Sequence, residues 1–533
     1  MKLLTQLKLN IGYSRQDLLN AIQKKYRVFP DEIEEFVILK ESIDSRQKPN
    51  VFIVLNVAVQ VKKATNKKLV KCDEISVNKR GVEFTRVDFK AKRPIVVGFG
   101  PAGMFAALSL ADAGLNPIVL EQGKPVDERQ KDVENFWKNR KLNKYSNIQF
   151  GEGGAGTFSD GKLASNVSNS YTKTCINELI LNGAPEEIFY SYTPHIGSDK
   201  LKEVVKNIRN KVISKGGEFF FNTHFDEFEV LDGKVSKVFA TNVETGKKFE
   251  FETDSLVLAV GHSAADVYYN LNEKGVVLAP KPFAMGVRIE GLQSDINLAQ
   301  YGKDDESLPS ANYKLVEHLD NGRSVFTFCM CPGGYVVASS SDEGTVVTNG
   351  MSEYARDGKN ANAALLVNVL TSDYENGNPL AGVDFQRKYE KLAFELGGSN
   401  YNAPAEMVKD FVEGSSNPQT SLGKVSPTYN PGITIADLSK CLPEFVTESL
   451  KEALVKMDKK VKNFAHDENL LIGVESRSSA PVQIVRDEKF MTNIKGVFPV
   501  GEGAGYAGGI TSSAADGIKC AEKVVEYLEH LKA

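Results

Sequence analysis

The chain has 533 residues, too many for one hydrophobic core, so we expect about two to four domains. A composition of 41% hydrophobic and 25% charged residues is that of an ordinary globular protein. There is no apolar run of the ~18 residues that a membrane span needs, and the N-terminal MKLLTQLKLN does not resemble a signal peptide. Six cysteines in so long a chain do not indicate a disulfide framework. We therefore expect a cytoplasmic protein without a membrane partner.

The formal net charge of −4 is unevenly distributed. Residues 1–93 hold 20 Lys+Arg and 11 Asp+Glu, which gives this part a local charge of +9. A basic module of this kind can bind nucleic acid, but such lysines more often form a solvated face. We do not expect a nucleic-acid partner.

The first 91 residues predict a small α+β module. LLTQLKLN reads as a strand, and a helix follows in SRQDLLNAIQKKY, with Ser14 as its cap and Leu18, Ile22 and Tyr26 on one face. EEFVILKESID and VFIVLNVAVQV then read as strands. A ferredoxin-like arrangement is one option, and the module contains no catalytic constellation.

A dinucleotide-binding unit follows in RPIVVGFGPAGMFAALSLADAGLNPIVLEQG, residues 93–123. Gly98, Gly100 and Gly103 would supply the turn, the close approach to a pyrophosphate and the helix–strand contact. The helix after them would direct its first N–H groups at the phosphates. Glu121 ends the second strand, where a carboxylate can accept hydrogen bonds from ribose hydroxyls.

A second glycine-rich stretch, GEGGAGTFSDGKL at residues 151–163, has the same glycine spacing but not the same context. Only the short NIQF precedes it, and TFSDGKL does not continue as a helix. We interpret it as a loop that approaches the cofactor closely and carries Ser159, Asp160 and Lys162. Because no complete second Rossmann unit is present, a separate NAD(P)H domain is not expected.

The C-terminal segment indicates that the dinucleotide is FAD. GVFPVGEGAG is a strand with a glycine turn, and GITSSAADGIKCAEKVV is a helix whose first turn is polar. Large flavoproteins close a discontinuous Rossmann domain in this way, and such a helix directs its positive end at the flavin. Without an evident attachment residue, FAD should be bound non-covalently. The residues expected to contact it are Gly98, Gly100, Pro101, Ala102, Gly103, Glu121, Gln122, Gly154, Gly156, Gly261, Gly501, Glu502, Gly509 and Ile510.

The predicted fold class is α/β. A discontinuous Rossmann-type FAD-binding domain would comprise residues 92–281 and 466–533, with an inserted α+β substrate domain at 282–465 and the small N-terminal α+β module at 1–91.

The candidates for catalysis are His262, Lys162, Arg288, Cys329, Cys331 and Arg477. His262 lies at a strand end, where ligands gather in such folds, although a lone histidine is more often a positioning residue.

Cys329 and Cys331 lie two apart in VFTFCMCPGGYVVASS, which we interpret as a hairpin. Extended side chains at this spacing lie about 6–7 Å apart on one face, which disfavours a disulfide. We favour a packing role for both thiols over a thiol acting on the flavin.

Arg288 and Arg477 belong to a basic and amide set together with Arg356, Asn360 and Asn362. Arginine in apolar strands usually pairs with a carboxylate, for which Glu290 and Glu475 are the candidates, and we favour that pairing over a substrate acid. No His/Cys cluster has the spacing of a metal site.

Taken together, these motifs resemble the uncharacterised bacterial FAD-dependent dehydrogenases often labelled "NAD(FAD)-utilizing dehydrogenase". The resemblance covers nearly the whole chain, and it is carried by VGFGPAGMFAAL, FGEGGAGTFSDGKL, LAVGHSA, PFAMGVRIE, FCMCPGG, NGMSEYARDGKNANAALLV, ESRSSAPV and GEGAGYAGGI. It implies bound FAD and a cytoplasmic oxidoreductase. Flavoproteins of this type often have Asp in the last glycine turn, where this chain has Glu502.

The expected function is an FAD-dependent oxidoreductase that passes hydride between the flavin and a small organic substrate, with NAD(P)H as a candidate transient electron donor or acceptor. One alternative is a flavoprotein that modifies RNA through its basic N-terminal module. Another is a non-catalytic FAD-binding redox sensor.

Overall fold

The computed structural model describes residues 1–62, 81–84, 91–164 and 169–531, and the backbone of residues 70–71. Its N-terminal elements are β1 (Lys2–Asn10), α1 (Arg15–Tyr26), β2 (Ile33–Gln47), β3 (Asn50–Val61) and β4 (Val70–Lys71). The strands form one antiparallel sheet in the order β2-β3-β1-β4. This is the strand order and pairing of a ferredoxin-like sheet. The predicted helix is present, and Ser14 and Asp17 cap it reciprocally.

The first part of the dinucleotide-binding region alternates short strands and helices. Its elements are β5 (Ile95–Val97), α2 (Pro101–Asp112), β6 (Ile118–Leu120), α3 (Val126–Asn139), α4 (Ser170–Leu181), α5 (Ser198–Ser214), β7 (Glu218–Phe220), β8 (Thr223–Leu231), β9 (Lys234–Asn242), β10 (Lys248–Glu252), β11 (Leu256–Leu258), α6 (Ala265–Glu273) and β12 (Leu278–Pro280).

The middle of the chain forms a second sheet with its own helices. It comprises β13 (Phe283–Leu292), α7 (Gln293–Tyr301), β14 (Val316–His318), β15 (Ser324–Cys331), β16 (Tyr335–Ala338), β17 (Thr348–Met351), β18 (Asn360–Val369), α8 (Ala381–Leu396), β19 (Ala403–Met407), α9 (Val408–Glu413), β20 (Ile433–Ile435) and α10 (Glu444–Asp458). The last elements are β21 (Leu470–Glu475), β22 (Val482–Ile484), β23 (Val497–Pro499) and α11 (Ile510–His530).

A parallel five-stranded sheet organises the dinucleotide-binding region, in the order β23-β11-β5-β6-β7. Its central strands β5, β6 and β11 are buried throughout, which is typical of a parallel sheet covered on both faces. β23 joins β11 from the far end of the sequence, so the sheet is discontinuous in the chain. The α/β class is confirmed.

The inserted region is organised by a seven-stranded sheet in the order β14-β15-β18-β13-β21-β19-β20. β21 pairs antiparallel with both β13 and β19. The sheet of the insert therefore continues past the boundary at 465/466 that the sequence predicts. The reason is that β21 is buried along its whole length and supplies the strand between β13 and β19.

The hairpin predicted in VFTFCMCPGGYVVASS is wrong. β15 pairs with β14 and β18, whereas β16 pairs with β17 in a separate two-stranded sheet. The Pro-Gly-Gly turn carries the chain from one sheet to the other, and its backbone is closely packed. A Cβ at Gly333 would lie 2.0 Å from the carbonyl oxygen of Arg356, and one at Gly334 would lie 2.4 Å from that of Met351.

The N-terminal module is packed onto both other regions. Val51 belongs to the hydrophobic core of the insert, and Lys48 Nζ donates a hydrogen bond to the Ala299 carbonyl at 2.5 Å. The backbone of Glu41 donates to Tyr190 and accepts from Tyr192, at 2.8 and 2.9 Å. The module is therefore part of one body with the rest of the chain.

Across the part of the chain that the structure describes, no helix combines the length and the apolar character needed to cross a membrane.

The insert contains one carboxyl group that makes stability depend on pH. Glu406 on β19 is 1% exposed and accepts a hydrogen bond from Leu438 N at 3.0 Å, and its burial raises its pKa to about 7. In the unfolded chain this group ionises near pH 4. The protonated form is therefore favoured by the folded state, and the stability from this group is lost as pH rises from the unfolded pKa to about 7.

We expect Glu406→Gln to remove this loss while keeping the acceptor for Leu438 N. The variant should match the parent near pH 4 and exceed its unfolding free energy by up to about 3 kcal/mol above pH 7. Urea unfolding at both pH values measures the difference, with exposed Glu413→Gln as the matched control. An equal effect of Glu406→Gln at both pH values would contradict the assignment.

Candidate functional site

A large cavity lies between the parallel sheet and the insert. The space between its walls, together with the open solvent at its mouth, is about 1570 Å³. Twelve of the fourteen residues predicted to contact FAD line it: Gly98, Gly100, Pro101, Ala102, Glu121, Gln122, Gly154, Gly156, Gly261, Glu502, Gly509 and Ile510. Gly103 and Gly501 are not in the lining and lie behind it.

Two glycine loops from different parts of the chain meet at the floor of this cavity. A Cβ at Gly154 would lie 2.9 Å from the Cα of Gly100, so the loop after residue 150 is packed against the first glycine motif. Gly100 itself has an ordinary extended backbone, with φ −75° and ψ −176°. A Cβ there would meet only Gly154 Cα, at 3.6 Å. The protein's own packing does not require a glycine at position 100, and a side chain there would extend into open cavity.

Gly98 and Gly103 fix the backbone beneath that position. Gly98 has φ +91°, and a Cβ on it would lie 2.4 Å from the Ala259 carbonyl oxygen. A Cβ on Gly103 would lie 2.0 Å from the Gly98 carbonyl oxygen. Gly103 thus allows α2 to pack closely against the end of β5. This packing places the start of α2 at the cavity wall.

The second helix to begin at the cavity is α11. Its N-cap Gly509 has φ +83° with open space around it, and the Thr511 hydroxyl donates to the Leu163 carbonyl at 2.9 Å. A Cβ at Gly501 would lie 2.6 Å from Ala102 Cβ, and one at Gly517 would lie 2.2 Å from the Ala102 carbonyl oxygen. Gly501 thus acts by packing. The N-termini of α2 and α11 both face the cavity and favour negative charge there.

The Glu121 carboxylate is largely occupied by the protein itself. It accepts hydrogen bonds from the backbone N–H groups of Phe99 and Gly123, both at 2.9 Å, and of Gly151 at 3.1 Å. A carboxylate has about four acceptor positions, so one is left for a ligand hydroxyl. The Glu121 side chain therefore joins the loops that contain Phe99, Gly123 and Gly151. Its position at the end of a strand did not predict these contacts.

His262 lies opposite the last glycine turn. Its Nδ1 is 3.4 Å from Glu502 Oε1. Its Nε2 is buried, and no hydrogen-bond partner for it occurs among the described residues. A buried polar atom without a partner is costly, which fits a position that a bound ligand completes.

The arginines of the basic set are paired with carboxylates. Arg288 makes a bidentate contact with Glu475, at 2.6 and 2.8 Å, as the sequence favoured. Arg356 is paired with Asp160, and Arg477 with Glu390, across more than 80 positions in each case. These last two partners were not predicted, because nothing local in the sequence connects them.

Glu290, the other predicted partner, instead accepts hydrogen bonds from Asn360 Nδ2 at 2.8 Å and from the backbone N–H of Thr428.

Cys329 and Cys331 do not share one face of a regular strand. The pairing of β15 with β18 runs from Phe328↔Ala364 to Cys331↔Asn362, so one extra residue forms a bulge. Cys329 has φ +42° and is exposed, Cys331 is buried, and both line the cavity. Both thiols are free. The protein atoms packed around them disfavour the thiolate and raise both pKa values, that of Cys329 to about 12.

Several lining residues were missed by sequence reasoning. Among them are Gln149, Thr223, Phe328, Asn349 and Ser513. Phe328, Asn349 and Ser513 lie in stretches that the sequence analysis quotes, but nothing in those stretches marks these side chains as part of the cavity wall. Gln149 comes from a loop and Thr223 from β8, and only the folded chain brings them to the wall. In the part of the chain that the structure describes, no group of three or more His, Cys, Asp or Glu could hold a metal ion.

Fold and cavity together define an α/β protein with a Rossmann-type parallel sheet and a cavity at the carboxyl ends of its strands. Residues 282–478 match a family described as "FAD-dependent protein, C-terminal domain-like", and residues 1–60 match a domain of unknown function, DUF8436. A protein of Clostridium beijerinckii, recorded as an uncharacterized protein, is 45% identical over 539 residues, covering 98% of each chain. The chain belongs to the same family as this relative.

Two solved structures are similar to the chain at low identity. One is the E. coli quinol fumarate reductase FrdA, with 13% identity, a TM-score of 0.37, and coverage of 83% of this chain and 71% of that one. Another is the glycerol-3-phosphate dehydrogenase of Bacillus halodurans complexed with FAD, with 12% identity, a TM-score of 0.37, and coverage of 83% and 66%.

We expect Gly100→Val to lower bound FAD by about tenfold or more, because its methyl groups would extend into the space next to Gly154. Gly100→Ala should have a smaller effect, since its Cβ makes only an ordinary contact. Flavin released by acid measures occupancy, and thermal unfolding shows whether each variant is folded. Full occupancy in a folded Gly100→Val protein would show that this loop does not hold the cofactor.

We expect Cys329→Ala and Cys331→Ala to leave the absorption spectrum of the flavin unchanged. From about pH 6 to about pH 9 the Cys329 thiol is protonated, since its pKa is raised to about 12, and a neutral thiol gives no thiolate charge-transfer band. Absorption spectra at both ends of this range are the measurement. A long-wavelength band that grows with pH and is lost in either variant would make that cysteine a participant in the chemistry.

Proposed function

We propose that the protein is an FAD-dependent oxidoreductase that binds FAD non-covalently and acts on a small organic substrate. The observation that carries the proposal is the space at Gly100, which the protein's packing leaves open, between the N-termini of two helices in one cavity. An anionic dinucleotide suits such a position, because its pyrophosphate can approach the backbone and accept from the helix N–H groups.

The chain offers a distinct set of residues to each part of FAD. The backbone at Gly98, Gly100 and Gly154 would hold the pyrophosphate, and the remaining acceptor position of Glu121 would take a ribose hydroxyl. The first turn of α11, beginning at Ile510, would face the ring and stabilise negative charge on it. When bound, FAD supplies two-electron redox chemistry at its ring.

The insert would supply the substrate side of the cavity. Phe328, Cys329 and Asn349 project from its strands into the lining opposite the glycine loops. Asp160 and Glu475 line the cavity and are paired with Arg356 and Arg288, so the shape of the wall is held by buried ionic contacts as well as by apolar packing. These residues would orient the substrate and exclude water from the ring.

The first experiment asks whether the protein carries FAD. The purified protein should be yellow, and acid precipitation should release the flavin into solution. A matched preparation of Gly100→Val provides the control for adventitious flavin. A colourless parent protein that does not take up added FAD would overturn the proposal.

The second experiment asks what exchanges electrons with the protein. If NAD(P)H is the electron donor, anaerobic mixing with NADH or NADPH should bleach the flavin absorption. The donor would bind only transiently, because the sequence contains no second Rossmann unit to hold it. The dithionite-reduced protein should be reoxidised by a small organic acceptor. A reduced flavin that reacts with none of these carriers would favour a redox sensor instead.

A further inference from the structure

A bulge in β15 forms part of the cavity wall and turns two successive carbonyl groups toward two cations. The Cys329 carbonyl accepts from Arg288 Nη1 at 3.3 Å. The next carbonyl, that of Met330, accepts from Lys162 Nζ. Lys162 comes from the glycine loop of the dinucleotide-binding region, so this contact joins the loop to the insert.

Charged side chains in the lining are otherwise balanced. Glu121 accepts hydrogen bonds from backbone N–H groups. Asp160 is paired with Arg356, Glu475 with Arg288, and Arg477 with Glu390 and Asp342. The two histidines lie beside carboxylates, His224 beside Asp226 and Asp266, and His262 beside Glu502. Lys162 is the exception, since no carboxylate of the described residues lies within 4.0 Å of it.

An unbalanced ammonium group on a half-enclosed wall favours an anion in the cavity. Removing a charge from water is costly, and a ligand of opposite charge recovers part of that cost. The carbonyl of Met330 engages only one of the three donor positions of Lys162, so hydrogen bonds to a ligand are also available.

Two further residues of the cavity lining define the rest of this subsite, Asn349 on β17 and Phe328 on β15. The Asn349 Oδ1 atom accepts from Gly350 N at 2.7 Å and from Arg288 Nη2 at 3.4 Å. Its Nδ2 has no hydrogen-bond partner among the described residues and is a donor at the cavity wall. Phe328, at the start of the bulge, lines the cavity and is 41% exposed. The cavity lining therefore offers a hydrogen-bond donor, a cation and an apolar ring.

We propose that this wall binds a substrate with one carboxylate and an apolar body, and that Lys162 determines this specificity. The carboxylate would lie against Lys162 and the Asn349 amide, with the apolar part on Phe328. A single negative charge matches the one unbalanced cation, whereas a phosphate dianion would meet the nearby carboxylates of Asp160 and Glu475. The inference rests on the proposed function, because it places the substrate in the FAD cavity.

The test uses the FAD-loaded protein and two ring compounds of similar shape, benzoate and benzamide. Each is titrated while the difference spectrum of the bound flavin is recorded, so binding is read without turnover. Benzoate should give a saturable change, and benzamide should bind at least about tenfold more weakly, a difference of about 1.4 kcal/mol.

Variants of Lys162 then assign the effect. Lys162→Gln should weaken benzoate binding by about tenfold or more and leave benzamide binding unchanged, while Lys162→Arg should retain preference for benzoate. Exposed Lys131→Gln is the matched control and should behave as the parent. FAD content is measured first in every variant.

The outcomes separate this inference from the proposed function. A parent protein without FAD overturns both. A parent protein that carries FAD and exchanges electrons, but binds benzoate and benzamide equally, overturns this inference alone. So does a Lys162→Gln protein whose flavin reduction potential shifts while its affinity for benzoate stays at the parent's value, because Lys162 would then act on the cofactor.

Discussion

The close packing of two helix starts around Ala102 is the constraint on which the rest of the structure depends. Gly501 and Gly517 both lie so close to this residue that a Cβ would not fit, since it would be 2.6 Å from the Ala102 Cβ at position 501 and 2.2 Å from the Ala102 carbonyl oxygen at position 517. As a result α2 and α11, about 400 positions apart in the chain, begin at the same cavity. Neither helix could be displaced without the other losing its contact.

This arrangement explains why the chain leaves the dinucleotide-binding region and returns to it. β23 pairs with β11 directly before α11 begins, and the strands between β12 and β22 form two other sheets, one of seven strands and one of two. β12 and β22 pair with each other where the chain leaves and returns. The insert is thereby held at the carboxyl ends of the parallel strands, which is where ligands bind in open α/β sheets. Its strands then form the opposite wall of the cavity.

The glycine motifs could be predicted from the sequence because each acts locally. Gly98 and Gly103 meet backbone only a few residues away or on the adjacent strand, and the surrounding pattern of strand, turn and helix is continuous in the chain. The ferredoxin-like sheet and its capped helix were accessible for the same reason. The pairs Arg356–Asp160 and Arg477–Glu390 were not, since each joins elements far apart in sequence. The hairpin after Cys331 was mispredicted because a Pro-Gly-Gly turn is compatible with a change of sheet as well as with a reversal.

The pattern of charges in the cavity is informative because so many of them are balanced. Leaving an ion unpaired in a half-enclosed site costs free energy, and a chain that pairs the arginines at positions 288, 356 and 477 with carboxylates shows that its fold can provide such partners. At Lys162 the fold provides only the Met330 carbonyl. The backbone of the same loop is fixed at the next residue, where Leu163 N donates to the Pro194 carbonyl at 2.9 Å. A cation that the fold leaves without a carboxylate at the cavity wall is the group with which the proposed carboxylate ligand would pair.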